Sequence, residues 1–530
     1  MKKLRPGLIL KNAVPEWILA FIGSCLFLTD SNIANPISRA LCFLVILILF
    51  AFCKSLLTVN VLRTEILFSG NNRFLNYIFI LIEFGILLNL YIVGFTADSM
   101  HILNYFFGLI KPLAIFISIA LIFQVLAGHD QYHKGKAALS IAVSFLLIWG
   151  FSIPEEINAG TLLRTAAVPV LESALIVLSL VILYGLLSEY HGSLPVKLIR
   201  HIYQKLCRHR NASLLIWLVY TLVCMVISGM AVLHIFDGNG MLTARVAAVE
   251  LLKLYLLASL AMMQCVNHKK LEKPRKEKHL VSLRNFLEKY ECRASLHFWW
   301  TSAFFAVTMI PLFLCGEFGT CLILAVLFVL MTFSCFNAAF GLTEIVCGTG
   351  IYLLIRKGYL MGIFGQAAEE KLNRLFNLDA FTQINDMNQI IDESNVIFQV
   401  IPYHVRLTGQ LTTRIEDFSY LNIISVFGTL FAAVFLIWLL TVPYLALQDF
   451  DERAKRSSYE HNLFLIAKWP LLLFIANITV HVMSNLGIFM FTGVTLPLIS
   501  NGFMNTIITI ISFIPVIKCL GLIAYEKTEN

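Results

Sequence analysis

The sequence predicts an all-α, polytopic integral membrane protein, and three observations carry that prediction. Its 530 residues are 58% hydrophobic and only 14% charged, whereas soluble domains carry about 25% charged residues. Apolar runs of about 18 residues or more recur along the chain, each long enough to cross a bilayer as a helix. No segment shows the polarity alternation over roughly ten residues that marks a transmembrane β-strand. The mean hydropathy, +0.80, agrees.

Taken in order, the runs predict about 14 spans: roughly 16–34, 38–58, 75–96, 103–127, 137–155, 167–188, 213–235, 244–266, 297–315, 318–338, 340–358, 421–446, 463–490 and 503–523. The first run is followed directly by further spans with no small-residue cleavage site, so a cleaved signal peptide is not expected. Loop charge then sets the orientation, because cytoplasmic loops are enriched in Lys and Arg. With the N-terminus (Lys2, Lys3, Arg5, Lys11) inside, the basic loops "KLIRHIYQKLCRHR", "HKKLEKPRKEKHLVSLRNFLEKYECR" (the 267–296 loop) and "DERAKR" all fall on the cytoplasmic side. "FTADSM" and "FSIPEEINAG" face outward, and both termini are cytoplasmic. Segment 359–420 becomes one large external loop, rich in both charge and apolar side chains, as an ordered lid would be.

The net charge of +8 suits basic cytoplasmic loops meeting anionic lipid and requires no nucleic-acid partner. Cys25, Cys42, Cys53, Cys224 and Cys335 are among 12 cysteines without CxxC or zinc-ligand spacing, which read as small buried side chains. No P-loop, GxGxxG after a strand, HExxH or GxSxG elbow occurs. ATP-driven transport within this chain and zinc proteolysis are thereby excluded as expectations.

Ionisable and strongly polar groups at membrane depth are costly, so each is a candidate for function or for a structural network. Glu250 and Lys253 stand three apart on one helix face, where they pair or share a partner. Glu317 lies between Gly316 and Gly319 where two spans meet. Asn477, His481 and Asn485 recur at i, i+4 and i+8 as one polar stripe, lining a cavity or satisfying one another. Asp417, just before an apolar run, is either a general base at a low-dielectric edge or an acidic helix cap. In "FTGVTLPLISNGFMN", Thr492, Thr495, Pro497, Ser500, Asn501, Gly502 and Asn505 break an apolar stretch. Backbone that irregular is tolerated only where protein buries it or it lines a cavity.

These segments occur in a recognisable order. "NGMLTARVAAVELLKLYLLASL", "GEFGTCLIL", "EKLNRLFNLDAF", "TTRIEDFSYLNIISVFG" and "NLGIFMFTGVTLPLISNG" resemble, in sequence, five motifs of the SEDS family (shape, elongation, division and sporulation; the FtsW/RodA/SpoVE type). The resemblance covers roughly 137–525 and divides the chain into 1–130, with four extra spans, and 131–530, a ten-helix SEDS-like core. It departs from the family where "SNGFMN" replaces a Gly-Gly-Ser ending and Glu416 stands beside Asp417.

The resemblance implies a peptidoglycan glycosyltransferase in the bacterial cytoplasmic membrane. It would polymerise lipid II on the outer face, for division or shape, beside a class B penicillin-binding transpeptidase. Asp417 matches the family's catalytic aspartate. Glu250 and Lys253 match a polar pair, and Thr495, Pro497 and Ser500 fall in the last motif. A basic residue (Arg356, Lys357, Arg374, Arg406 or Arg414) or a divalent cation, Mg2+ or Mn2+, would offset the leaving diphosphate. Two other expectations remain: a scaffold of the same fold that has lost its chemistry, and a transporter or ligase of another lipid-linked oligosaccharide.

Overall fold

The computed structural model describes residues 14–29, 36–56, 72–93, 111–126, 141–148, 318–335, 338–363, 417–454, 461–488, 494–500 and 503–529, with scattered positions at 139, between 170 and 180, between 299 and 309, and at 372, 373 and 376. Ten α-helices account for most of them: α1 (Val14–Thr29), α2 (Pro36–Leu56), α3 (Asn72–Val93), α4 (Lys111–Leu126), α5 (Phe318–Cys335), α6 (Ala338–Leu360), α7 (Ser419–Phe427), α8 (Thr429–Ala454), α9 (His461–Asn485) and α10 (Phe503–Glu529). Among the described residues, five segments are long and apolar enough to cross a membrane: Pro36–Lys54, Phe74–Ile92, Ala339–Leu360, Thr429–Glu452 and Ile466–Asn485. This is an all-α membrane protein. In lipid a helix satisfies every backbone N–H and C=O internally, which is why apolar runs of this length adopt no other form. Pro443, Pro470 and Pro515 sit inside helices without ending them, as bilayer-spanning helices allow.

The described helices overlap nine of the expected runs, and five of those overlaps are the membrane-long segments just named. Spans 213–235 and 244–266 lie outside the described residues, and 137–155, 167–188 and 297–315 are described only in part. One expected element differs. The run 421–446 is two helices, α7 and α8, divided at Gly428 with φ 88° and ψ 162°. The Gly428 N–H donates to the Ile424 carbonyl (2.8 Å) and its own carbonyl accepts from Ala432 N–H (3.1 Å), closing one helix and opening the next. Glycine holds that positive φ without the steric cost a Cβ would bring.

The chain folds as two compact units: Met1–Gln204 with Ile390–Ala446 and Thr495–Asn530, and Lys205–Gln389 with Leu447–Val494. In the first unit α3 is central: 89% of its apolar segment is buried, against 33% for α2. Phe84 of α3 packs on Phe427, Phe431 and Phe435 of α7 and α8. Tyr77 packs on Trp438 and donates its hydroxyl to the Leu439 carbonyl (2.6 Å). Phe74 meets Phe513 of α10 while Gly85 meets Ile499. Rising numbers on α3 thus meet falling numbers on α8 and α10, so α3 runs antiparallel to both. On its other side, Phe27 of α1 touches Phe43 of α2 and Tyr91 of α3.

In the second unit, Ile323, Leu324, Leu327, Phe328 and Met331 of α5 pack on Trp469 and Leu473 of α9 and on Val494. Phe305 stacks on Phe328 with ring centroids 4.1 Å apart. By contrast α6 leaves Leu342, Val346, Ile351, Leu353 and Leu354 exposed, a surface that lipid tails solvate as well as protein would.

Candidate functional site

Asp417 stands half-buried one residue before the N-cap of α7, and Phe418 through Val426 are all buried. The N-cap position is Phe418, whose carbonyl accepts the Asn422 N–H (2.9 Å). Asp417 therefore marks the point where the chain passes from a half-exposed turn into the packed interior, and it does not occupy the capping position. The antiparallel run of α8 along α3 places the Gly428 junction, and α7 with it, at the α3 end that carries Gly85 and Asn89.

At that same end sits the turn Leu496–Ser500. Its backbone is closed by Ile499 N–H (3.3 Å) and Ser500 N–H (2.9 Å), both donating to the Leu496 carbonyl, which also accepts from the Ser500 hydroxyl. Pro497 at the second position presets φ, and Leu498 follows with φ 69°. A positive φ after proline is the type II pattern, which ordinarily takes Gly or Asn there. Leucine in that region costs roughly 1–2 kcal/mol, and such strain collects at functional turns when the surroundings enforce it. Leu498 is held because it is buried.

Two asparagines tie the turn down. Asn505 Nδ2 donates to Thr495 Oγ1 (2.6 Å) and to the Thr495 carbonyl (3.4 Å). Asn89 Nδ2 donates to the Gly85 carbonyl (2.7 Å) and reaches the Ile499 carbonyl at 3.5 Å. Backbone 494–500 is thus largely buried by protein, and the Thr495, Leu496 and Ile499 carbonyls are paired within it, the first of the two conditions membrane depth allows.

In the second unit the stripe on α9 is a real face: Asn477, His481, Ser484 and Asn485 are all buried. His481 Nδ1 lies 2.6 Å from the Val494 carbonyl; a carbonyl only accepts, so Nδ1 carries the proton. Gly487, at φ 67°, ends α9 with the paired bonds Ile488 N–H to Met483 carbonyl (3.0 Å) and Gly487 N–H to Ser484 carbonyl (3.2 Å), a Schellman close. Arg356 and Lys357 lie exposed near the end of α6, Lys357 in its last turn. Below them, Tyr359 donates to Asn373 Oδ1 (2.9 Å), and Tyr352 and Tyr359 both pack on Phe376. The start of the expected external loop therefore folds back on α6.

Of the residues expected at the site, Asp417, Thr495, Pro497 and Ser500 belong to the first unit, and Arg356, Asn477, His481 and Asn485 to the second. Glu250, Lys253, Arg374 and Arg406 lie outside the described residues, as do Glu317, Arg414 and Glu416. Among the described residues no three His, Cys, Asp or Glu side chains converge to hold a metal ion. Three buried ionisable side chains that the motifs did not flag, Glu16, Lys54 and Glu83, lie in α1, α2 and α3. Their signal was in the sequence, each being a charge inside or at the edge of an apolar run. No family model, no curated protein and no solved structure matches this chain.

Proposed function

We propose that this membrane protein is a SEDS-type glycosyltransferase that polymerises lipid II, with Asp417 as general base. One observation supports the reading above others. The aspartate that the ordered motifs single out stands at the mouth of a buried helix, at the same end of α3 as the Leu496–Ser500 turn from the last motif. In the reaction, Asp417 takes the proton of the acceptor sugar hydroxyl as its oxygen bonds to the donor's anomeric carbon. The anomeric carbon–oxygen bond to undecaprenyl pyrophosphate breaks with inversion, and that diphosphate leaves. Positioned proton transfer of this kind contributes roughly 10²–10⁴ in rate. A basic side chain would meet the charge on the diphosphate, and a class B transpeptidase would crosslink the strands. The proposed site is the outer face of the bacterial cytoplasmic membrane, with both termini inside.

The test is polymerisation of labelled lipid II by the purified protein, wild type beside Asp417→Asn, with manganese or magnesium present. Glycan strands from the wild type and none from the variant support the enzyme and its base together. Equal product from both removes Asp417 from the mechanism. A second reading draws on the polar groups themselves: His481, Ser500 and Asn505 each have protein partners. That favours a scaffold of the same fold that recruits a transpeptidase without chemistry of its own. It predicts no product from either protein, even with the transpeptidase added.

A further inference from the structure

Three charged side chains gather inside the bundle of α1, α2 and α3. Glu16 lies in the first turn of α1, Lys54 in the last turn of α2 and Glu83 midway along α3; none is more than 4% exposed. Lys54 Nζ donates to Glu16 Oε1 as a buried ion pair. Glu83 is within electrostatic range of both. Among the described residues, neither oxygen of Glu83 has a hydrogen-bond partner, and Glu16 Oε2 has none. Two carboxylates thus face one ammonium, and three buried acceptor oxygens receive no donor.

Acceptors in that state require a positive occupant, because an uncompensated carboxylate at membrane depth is costly. Glu83 is completely enclosed, so the occupant that fits is one that needs no volume of its own. We infer that Glu83, with Glu16 and Lys54, forms an intramembrane proton-binding site. Uptake of one proton turns a Glu83 carboxylate into a carboxyl and brings the three groups to neutrality; release restores the surplus charge. Glu16 and Lys54 stand at helix ends, whereas Glu83 is eleven residues into α3, about 16 Å at the rise of a helix. Among the described residues, the charges that act on Glu83 are those of Glu16 and Lys54. Arg39 of α2 donates to the Leu90 carbonyl (3.2 Å), about two turns further along α3. The helix α7 has no charged side chain, and Lys518 of α10 lies beyond the Phe513–Phe74 contact, at the opposite end of α3. The site is independent of Asp417 and of glycosyl transfer.

Infrared difference spectra of the full-length protein in nanodiscs, taken across a pH series, test this through the carboxylic C=O stretch. The wild type is expected to show a band that grows on acidification, disappears in Glu83→Gln and persists at a shifted frequency in Glu83→Asp. Glu16→Gln and Lys54→Met, which leave Glu83 in place, should move its midpoint in opposite senses by about one pH unit, a tenfold change in proton affinity. A spectrum unchanged by Glu83→Gln overturns the site. So does a band that sodium ions remove at constant pH, since the occupant would then be a metal cation. Should Glu83→Gln not fold, the two neighbour variants decide alone, and unmoved midpoints in both overturn the proposal.

Discussion

Gly85 and Ile499 meet backbone against backbone: a Cβ on Gly85 would lie 2.7 Å from the Ile499 Cα. The contact joins the third helix of the chain to the irregular turn before its last helix. Alanine at 85 has no flexible neighbour to displace, so the turn itself has to move. Overpacking of this kind costs roughly 1–3 kcal/mol. Gly85→Ala is expected to lower the unfolding temperature in detergent micelles, and Gly85→Val to lower it further. Unchanged melting of both would mean that the turn does not rest on α3.

Leu498 offers a test in which two effects oppose each other. Its left-handed φ costs roughly 1–2 kcal/mol, while its buried side chain contributes about 2–5 kcal/mol against alanine. Removing the side chain should therefore destabilise the protein whatever replaces it. Between the two truncations, Leu498→Gly should be more stable than Leu498→Ala by about 1 kcal/mol, the reverse of the usual ranking. Thermal or denaturant melts of the pair would show this, and an alanine advantage would mean that the backbone is not held at positive φ.

His481 supplies the proton that the buried Val494 carbonyl accepts. Leucine there fills space but strands the carbonyl, at a cost of about 1–3 kcal/mol. Glutamine retains an N–H and should recover part of the loss. The prediction is an order of stability, wild type above His481→Gln above His481→Leu, read from unfolding in micelles. Equal stability of leucine and glutamine would count against the hydrogen bond.

Asp417→Asn separates chemistry from folding. Asp417 is half-exposed and lies outside the helix it precedes, and asparagine matches it in size, so the variant is expected to fold, with its melting as the control. Polymerisation should fall by roughly 10²-fold or more. A variant that melts early would make any loss of product a folding effect.

The Glu16–Lys54 pair and Ser500 mark where reading the sequence stops. Nothing in the spacing of residues 16, 54 and 83 brings them together; that requires α1, α2 and α3 to pack with particular faces inward. Ser500 reads as a polar residue open to a substrate, yet its hydroxyl bonds a carbonyl four residues back, a local bond that depends on Leu498 taking an unfavourable φ. Asp417 was legible because it stands at a boundary of polarity. So were Asn477, His481 and Asn485, because helical spacing alone puts them on one face.

What the sequence determines by itself is that the chain forms apolar helices in a membrane, and close to where they lie. Length and hydropathy suffice for that, since lipid leaves the backbone no other way to satisfy its hydrogen bonds. Only the tertiary structure decides which helices face inward. Phe74–Ile92 and Ala339–Leu360 are both apolar enough to span, yet 89% of the first is buried and 6% of the second. Lipid tails are as apolar as a protein core, so hydropathy cannot distinguish the two. The choice falls to close approach, as at Gly85, and to polar groups such as Tyr77, Asn89 and Glu83 that have to be enclosed.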